Sequence, residues 1–439
     1  MNLIQVLDPS SQIQADATSF CTDTRQLSPG SIFVAIRGEQ FDGHDFLQEA
    51  QARGAVAAVV SHKIESSSLP QIVVADTVQA LAQVAMQHRQ RIHCPTIALT
   101  GSNGKTTVKE MIAAILPKPS HATKGNLNNH LGAPLSVLAL KTEHRYAVFE
   151  LGANHAGEIA HTVAIVRPDV TLINNIAPAH IEGFGSVDGV AHAKGEIHQG
   201  LSPEGVAVIN EDDSYAHFWD GLLKGKKVLG FSSNKKADIY LQNLTFDAHG
   251  CGHFTLITPE GQEDIALQVP GRHNVQNALA AAACCYALGI AIKDIRDGLN
   301  QFGGVKGRMT FLQGMNQATV IDDTYNANPA SVSAALSVLA HLSGRKILVL
   351  GDMGELGVGG ADLHRKIGEE ASRAGIEKLL ALGELSVNAV EGFGKGAMHF
   401  SNIDELLGEA EKLLDHNVTM LVKGSRFMKM ERVIQRFEV

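Results

Sequence analysis

The sequence predicts an α/β protein of three domains, and three observations carry that prediction. An apolar run, Thr96-Ile97-Ala98-Leu99, passes through a glycine-rich turn into a helix-like stretch from Val108 to Leu116, the opening of a parallel α/β unit. Beyond Gly314, strand-like and helix-like segments alternate to the end of the chain, the pattern of a Rossmann-like doubly wound sheet. The 439 residues suit about three domains at roughly 100–200 residues each. The expected division is a small α/β domain over 1–90, a central P-loop-type domain with a mostly parallel sheet over 91–312, and a C-terminal Rossmann-like domain over 313–439.

In the first domain, Ser31–Ile36, Ala55–Val60 and Ile72–Val74 read as strands, with helices over Phe46–Arg53 and Thr77 to about Arg89. In the second, Ala147–Leu151, Val170–Asn174 and Val206–Asn210 join the first apolar run as continuous hydrophobic segments, as expected of strands covered on both faces. Ala278 to Ile292 is Ala-rich and reads as a buried helix. In the third, strands are expected at Ala318–Asp322, Lys346–Gly351, Leu379–Gly383 and Val418–Gly424. Helices are expected at Ser331–Ala340, Asp362–Ala374, Ile403–Leu414 and Met428–Phe437.

The glycine loop is Gly101-Ser102-Asn103-Gly104-Lys105-Thr106-Thr107. Glycines let backbone N–H groups close on phosphate oxygens, the Lys105 ammonium neutralises outer phosphates, and the Thr106 hydroxyl suits Mg²⁺. The loop is a short G-x-x-G-K-T form, since Leu99 stands where the longer pattern has glycine. It predicts a bound nucleoside triphosphate. Glu150, ending a strand after this loop, is placed as a second Mg²⁺ anchor.

Other residues are less decided on spacing alone. His180 follows a strand and is either a metal or phosphate ligand or a structural histidine. Lys194 looks like an exposed helix lysine with no role. Asn126, Asn128 and Asn129 concentrate amides in one loop, which is either a turn or a peptide or sugar contact. Asn274 and Asn277 share a helix face. Arg308 stands at a domain junction, where a cation reaches a γ-phosphate only on closure. Lys423-Gly424-Ser425-Arg426 opens the last helix with two cations and suits an anion.

Composition removes several classes. A net charge of −9 without a basic block argues against nucleic acid as a partner. No apolar stretch reaches the ~20 residues of a membrane span, and no signal peptide is expected. The five cysteines form no C-x-x-C pair and are expected as reduced thiols in a cytoplasmic protein. The histidines show no zinc spacing.

Together these segments resemble the Mur ligase family of ATP-dependent amide-forming enzymes over nearly the whole chain. Thr22–Arg25, Phe41–His44, the 101–107 loop, Gly125–Gly132, Glu150–His155, His180–Gly185, Ala193–Ile197, Asp322–Pro329, Gly351–Gly357 and Lys423–Arg426 carry the resemblance. The asparagine cluster and Asp322-Asp323-Thr324-Tyr325-Asn326-Ala327-Asn328-Pro329 point to the branch that adds D-alanyl-D-alanine. The resemblance implies that ATP activates the terminal carboxylate of a UDP-N-acetylmuramoyl-tripeptide as an acyl phosphate, which D-alanyl-D-alanine attacks, in the cytoplasmic synthesis of peptidoglycan precursors. It further implies a monomer, Thr106 and Glu150 on one Mg²⁺, and a carbamylated Lys194 with His180 on a second. Asn274, Asn277, Arg308 and Asp323 match ATP contacts. Asp23, Thr24, Arg25, Gly43 and His44 match a uridine-diphosphate pocket. Asn126, Asn128, Asn129 and Asn326 match peptide-side contacts, and Lys423 and Arg426 match contacts near the active site. Lys105, Lys194, His180 and Arg308 are the implied catalytic set. A folate-polyglutamate-type ligase, a diaminopimelate- or lysine-adding relative and a non-catalytic nucleotide switch are the alternatives; no Asp-Asn-Pro-Arg string supports the second.

Overall fold

A computed structural model describes residues 3–9, 19–179 and 181–439. It contains three sheets. The first is four-stranded and parallel, with β1 (Phe20–Cys21), β2 (Ile32–Val34), β3 (Ala57–Val60) and β4 (Gln71–Val73) in sequence order.

The second sheet has nine strands: β5 (Thr96–Thr100), β6 (Ser120–Ala122), β7 (Tyr146–Glu150), β8 (Val170–Ile173), β9 (Val206–Asn210), β10 (Lys227–Ser232), β11 (Ile239–Phe246), β12 (Cys251–Thr258) and β13 (Gly261–Pro270). Their order is β13-β12-β11-β10-β9-β8-β5-β7-β6. Strands β5 to β11 pair in parallel, and β11, β12 and β13 form an antiparallel extension. Every residue of β5 and β8 is buried, because helices cover both faces. The helix Lys105–Ile115 lays Val108, Met111, Ile112 and Ile115 against the Ala-rich helix Arg272–Ala287 on one face. That second helix starts earlier than the composition suggests, directly after Gly271, and stops before Gly289.

The third sheet is β14 (Thr310–Gln313), β15 (Thr319–Asp323), β16 (Arg345–Gly351), β17 (Lys378–Leu382), β18 (Ala397–Phe400) and β19 (Val418–Lys423), ordered β14-β15-β19-β16-β17-β18. Only the edge strand β14 runs antiparallel. The α/β class and the mostly parallel sheets are those the sequence predicts. Ligands bind such sheets at the carboxyl ends of the strands, so Glu150, Asp323 and Lys423, each closing its strand, are the residues to follow.

The first sheet does not stand apart. Helix Thr77–Arg91 caps its N-terminus with Asp76 and buries Ala80, Leu81 and Val84 on the first sheet and Ala82 and Ala85 on the second. Its buried Arg89 guanidinium donates to Val166 O (2.8 Å), Thr96 Oγ1 (2.9 Å) and Arg167 O (3.3 Å). No described helix is long and apolar enough to cross a membrane.

Candidate active site

The loops after β5, β7, β8 and β15 and the end of β19 line one cavity of about 710 Å³ between the second and third sheets. Its floor is the 101–107 loop. Gly104 takes φ +77°, and a Cβ there would lie 2.5 Å from Asn277 Oδ1 and 2.7 Å from Asn174 Nδ2, so any other residue would be strained and would push that amide pair apart. The loop is braced by asparagines. Asn103 N–H donates to Asn175 Oδ1 (2.8 Å), and Asn174 Nδ2 donates to Asn103 O (2.9 Å) and Asn277 Oδ1 (3.0 Å). Asn277 Nδ2 donates to Asn274 Oδ1 (3.1 Å), and Asn274 Nδ2 to Pro270 O (2.8 Å). Ser102 is buried and its Oγ donates to Ala177 O (3.0 Å). Thr107 is buried in the first turn of the helix that follows. Lys105 Nζ folds back on Gly101 O at 2.8 Å. Burial lowers its pKa, Glu150 opposes that, and Arg308 adds to it.

Glu150 is 2% exposed, so it is no solvent-facing strand end. Its Oε2 accepts from Thr106 Oγ1 (2.8 Å) and its Oε1 from Asn128 Nδ2 (2.8 Å). Arg308 Nη2 donates to Thr106 Oγ1 (2.9 Å), and its guanidinium lies 4.2 Å from the centre of the Tyr325 ring. A hydroxyl and a carboxylate in contact beside a phosphate cradle suit Mg²⁺, which takes one or two protein oxygens and completes its shell with phosphate and water. Among the described residues no cluster of three or more His, Cys, Asp or Glu could hold a metal alone.

Lys194 corrects an expectation. It is 1% exposed, not a surface lysine, because the helix Val187–Gly195 turns that face inward. Its Nζ lies 5.9 Å from the Phe184 ring centre, and burial with the nearby Lys105 charge pushes its pKa well below the lysine range. His180 lies outside the described residues.

Across the cavity, Lys423 Nζ donates to Asp323 Oδ2 (2.6 Å) and Asn326 O (2.9 Å). Burial pushes the Asp323 carboxyl up and Lys423 pulls it back. Asn126, Asn128, Asn129, Asn274, Asn277, Arg308, Asp323, Asn326 and Lys423 all line the cavity. Arg426 does not; it is exposed and pairs with Glu431 at 3.2 Å. Asp23, Thr24, Arg25, Gly43 and His44 lie in the first unit, away from the cavity wall. There Asp23 caps the Thr24–Gln26 turn and holds Arg25 Nη2 at 2.7 Å, with Thr24 buried. Gly43 passes so close to Ile36 that a Cβ would meet its nitrogen at 2.6 Å. His44 Nδ1 donates to Asp42 Oδ1 (2.6 Å) and its Nε2 accepts Ser61 N–H (2.9 Å), which fixes the tautomer.

Sequence reasoning gave no role to Asn174, Asn175, Tyr325, Asn328 or His273, all near or on the wall. Their partners lie tens to hundreds of residues away. Burial takes His273 down to about 4, with Lys423 adding to the shift.

A phosphate cradle facing a Rossmann-like unit across a shared cavity defines a nucleotide-dependent ligase class, and family models agree. The Mur ligase family catalytic domain matches residues 18–93, the Mur ligase middle domain 99–285, and the Mur ligase glutamate ligase domain 307–426. The chain belongs to the Mur ligase family. It is similar to the UDP-N-acetylmuramoyl-tripeptide–D-alanyl-D-alanine ligase of Escherichia coli, 44% identical over 95% of this chain and 93% of that one. The Bacillus subtilis protein of the same name is 34% identical over 94% and 92%. A crystal structure of MurF from Acinetobacter baumannii superposes with a TM-score of 0.91 at 38% identity, covering 99% and 97% of the two chains. MurF ligase from Thermotoga maritima in complex with ADP gives 0.82 at 26% identity over 95% and 96%.

Proposed function

We propose that this chain is an ATP-dependent ligase that joins D-alanyl-D-alanine to the terminal carboxylate of UDP-N-acetylmuramoyl-tripeptide, acting as a cytoplasmic monomer with Mg²⁺. Its three units are taken as residues 1–90, 91–309 and 310–439, the second boundary being drawn before β14, which pairs in the third sheet, rather than after residue 312. The observation that carries the reading is one cavity with a phosphate cradle on one wall and a buried Lys423–Asp323 pair on the other.

A carboxylate resists attack because its leaving group would be oxide. Transfer of the ATP γ-phosphoryl group to its oxygen makes an acyl phosphate and releases ADP. The dipeptide amine then attacks the carbonyl carbon, loses a proton, and expels phosphate. Lys105, freed from Gly101 O, and Arg308 face the charge on the transferred phosphoryl oxygens. Mg²⁺ held by Thr106 and Glu150 would add to that neutralisation. Buried Lys194 favours the neutral amine, the form that adds CO₂ with loss of a proton; the carbamate would hold a second Mg²⁺ with His180. Asn274 and Asn277 keep the loop in place, Asp323 faces the nucleotide, and Asn126, Asn128, Asn129 and Asn326 meet the peptide end. Asp23, Thr24, Arg25, Gly43 and His44 bind the uridine diphosphate, and Lys423 acts from the third unit; Arg426, outside the cavity wall and paired with Glu431, would have to leave that pair to reach substrate. Closure of the units excludes water from the acyl phosphate.

The test is phosphate release from ATP, Mg²⁺ and UDP-muramoyl-tripeptide, with and without D-alanyl-D-alanine. Release that needs the dipeptide, with a pentapeptide product by mass, is expected. Release indifferent to the dipeptide sinks the reading.

A further inference from the structure

We infer that Asn328 is a positioning residue for ligation: its amide registers the third unit on the phosphate loop. This rests on the ligase reading above. Asn328 ends the loop from β15 and caps the helix Pro329–His341. Its Oδ1 accepts Ser331 N–H (2.9 Å), while Ser331 Oγ accepts the Asn328 N–H (3.0 Å). This reciprocal box fixes which end of the amide faces outward. The outward Nδ2 donates to Asn103 Oδ1 at 2.7 Å, across 225 residues of sequence.

Both partners are held rigidly. The Asn103 backbone N–H is taken by Asn175 Oδ1, and its carbonyl by the Asn174 and Asn175 amides. On the other side, Lys423 Nζ holds Asn326 O and Ser425 Oγ holds Ala327 O at 3.1 Å. Asp323 begins the same loop and pairs with Lys423. A displacement of Asn328 is therefore transmitted to the charged pair on the cavity wall. Arg308 also reaches the cradle, but through the Thr106 oxygen that metal would use. The Asn103–Asn328 bond touches no oxygen needed by phosphate or metal, so it can form each time the third unit closes on a loaded cradle.

Without that bond the third unit closes out of register and water reaches the acyl phosphate, whose hydrolysis returns carboxylate and phosphate with no amide formed. The readout is phosphate released per amide formed, near one in the wild type. Asn328→Ser keeps a capping oxygen but is too short to reach Asn103. Its ratio is expected to rise to three or more, with melting temperature within a few degrees of wild type. Asn328→Asp also keeps the cap, and Asn103 can turn its amide to donate, so its ratio should return near one. Asn103→Ala leaves the cap intact and should match Asn328→Ser, with the double variant no worse than either single. A ratio of one in both Asn328→Ser and Asn103→Ala overturns the inference, as does an Asn328→Asp variant as uncoupled as the serine. A wild type that forms no amide fails the ligase reading instead, so the two failures are distinct.

Discussion

Replacing Gly104 by alanine isolates what the cradle costs to build. Gly104 sits at φ +77°, where an L-residue pays about 1–2 kcal/mol. The new Cβ would also stand 2.5 Å from Asn277 Oδ1 and 2.7 Å from Asn174 Nδ2. Those atoms bond each other at 3.0 Å, and separating them loses about 1 kcal/mol more. The loop must leave its nucleotide-ready shape to relieve about 2–3 kcal/mol, which at 1.4 kcal/mol per tenfold corresponds to about 30- to 150-fold weaker nucleotide binding. Isothermal titration with Mg-ADP measures it directly. The core beneath is unaffected, so urea unfolding should keep its m-value. A dissociation constant within threefold of wild type would refute the reasoning, because the loop would then tolerate a side chain the packing excludes.

Glu150→Gln keeps the shape and the Asn128 contact but removes the charge; the Mg²⁺ needed for half-maximal activity should rise at least about tenfold, read from a metal titration of turnover. Burial lowers His121 and His198 to about 4 in the folded chain, so the unfolded chain binds more protons between about 6.5 and 4. Stability therefore falls with acid through that window, by up to about 3 kcal/mol per pH unit for two protons, and His198→Gln should flatten the slope of urea midpoints by one proton. Lys194 has its folded pKa lowered, so in CO₂-free buffer its burial destabilises the fold below the unfolded value of 10.5. Stability should rise with pH toward that value, and Lys194→Met should remove up to one proton's worth of that rise. A methionine variant with the wild-type slope would place Lys194 in water.

Continuous apolar runs made β5, β7, β8, β9, β16, β17 and β19 legible, since strands covered on both faces carry that signature alone. The antiparallel extension was not, because β11 mixes exposed and half-buried residues without a clean alternation. Strands β6, β14 and β18 sit at sheet edges and carry no continuous buried apolar run, so nothing in their sequence marks them. The cradle was legible because its chemistry sits in seven consecutive residues. Lys194 was misread, since the helix spacing around it does not reveal what packs over that face. The Asn103–Asn328 bond joins two strings that were each visible, but only tertiary structure brings them within 2.7 Å.

The buried Arg89 guanidinium has a mechanical consequence. It spans the junction between the first and second sheets and is satisfied by carbonyls at the end of the helix Glu158–Val166. Swinging the first unit away would strand a buried charge, so these two units travel as one body and opening belongs to the third. The proposed grip on the sugar nucleotide and the phosphate cradle then lie a constant span apart. Such a frame works as a caliper: a peptide of one length delivers its end carboxylate to the phosphate, and a shorter or longer one does not.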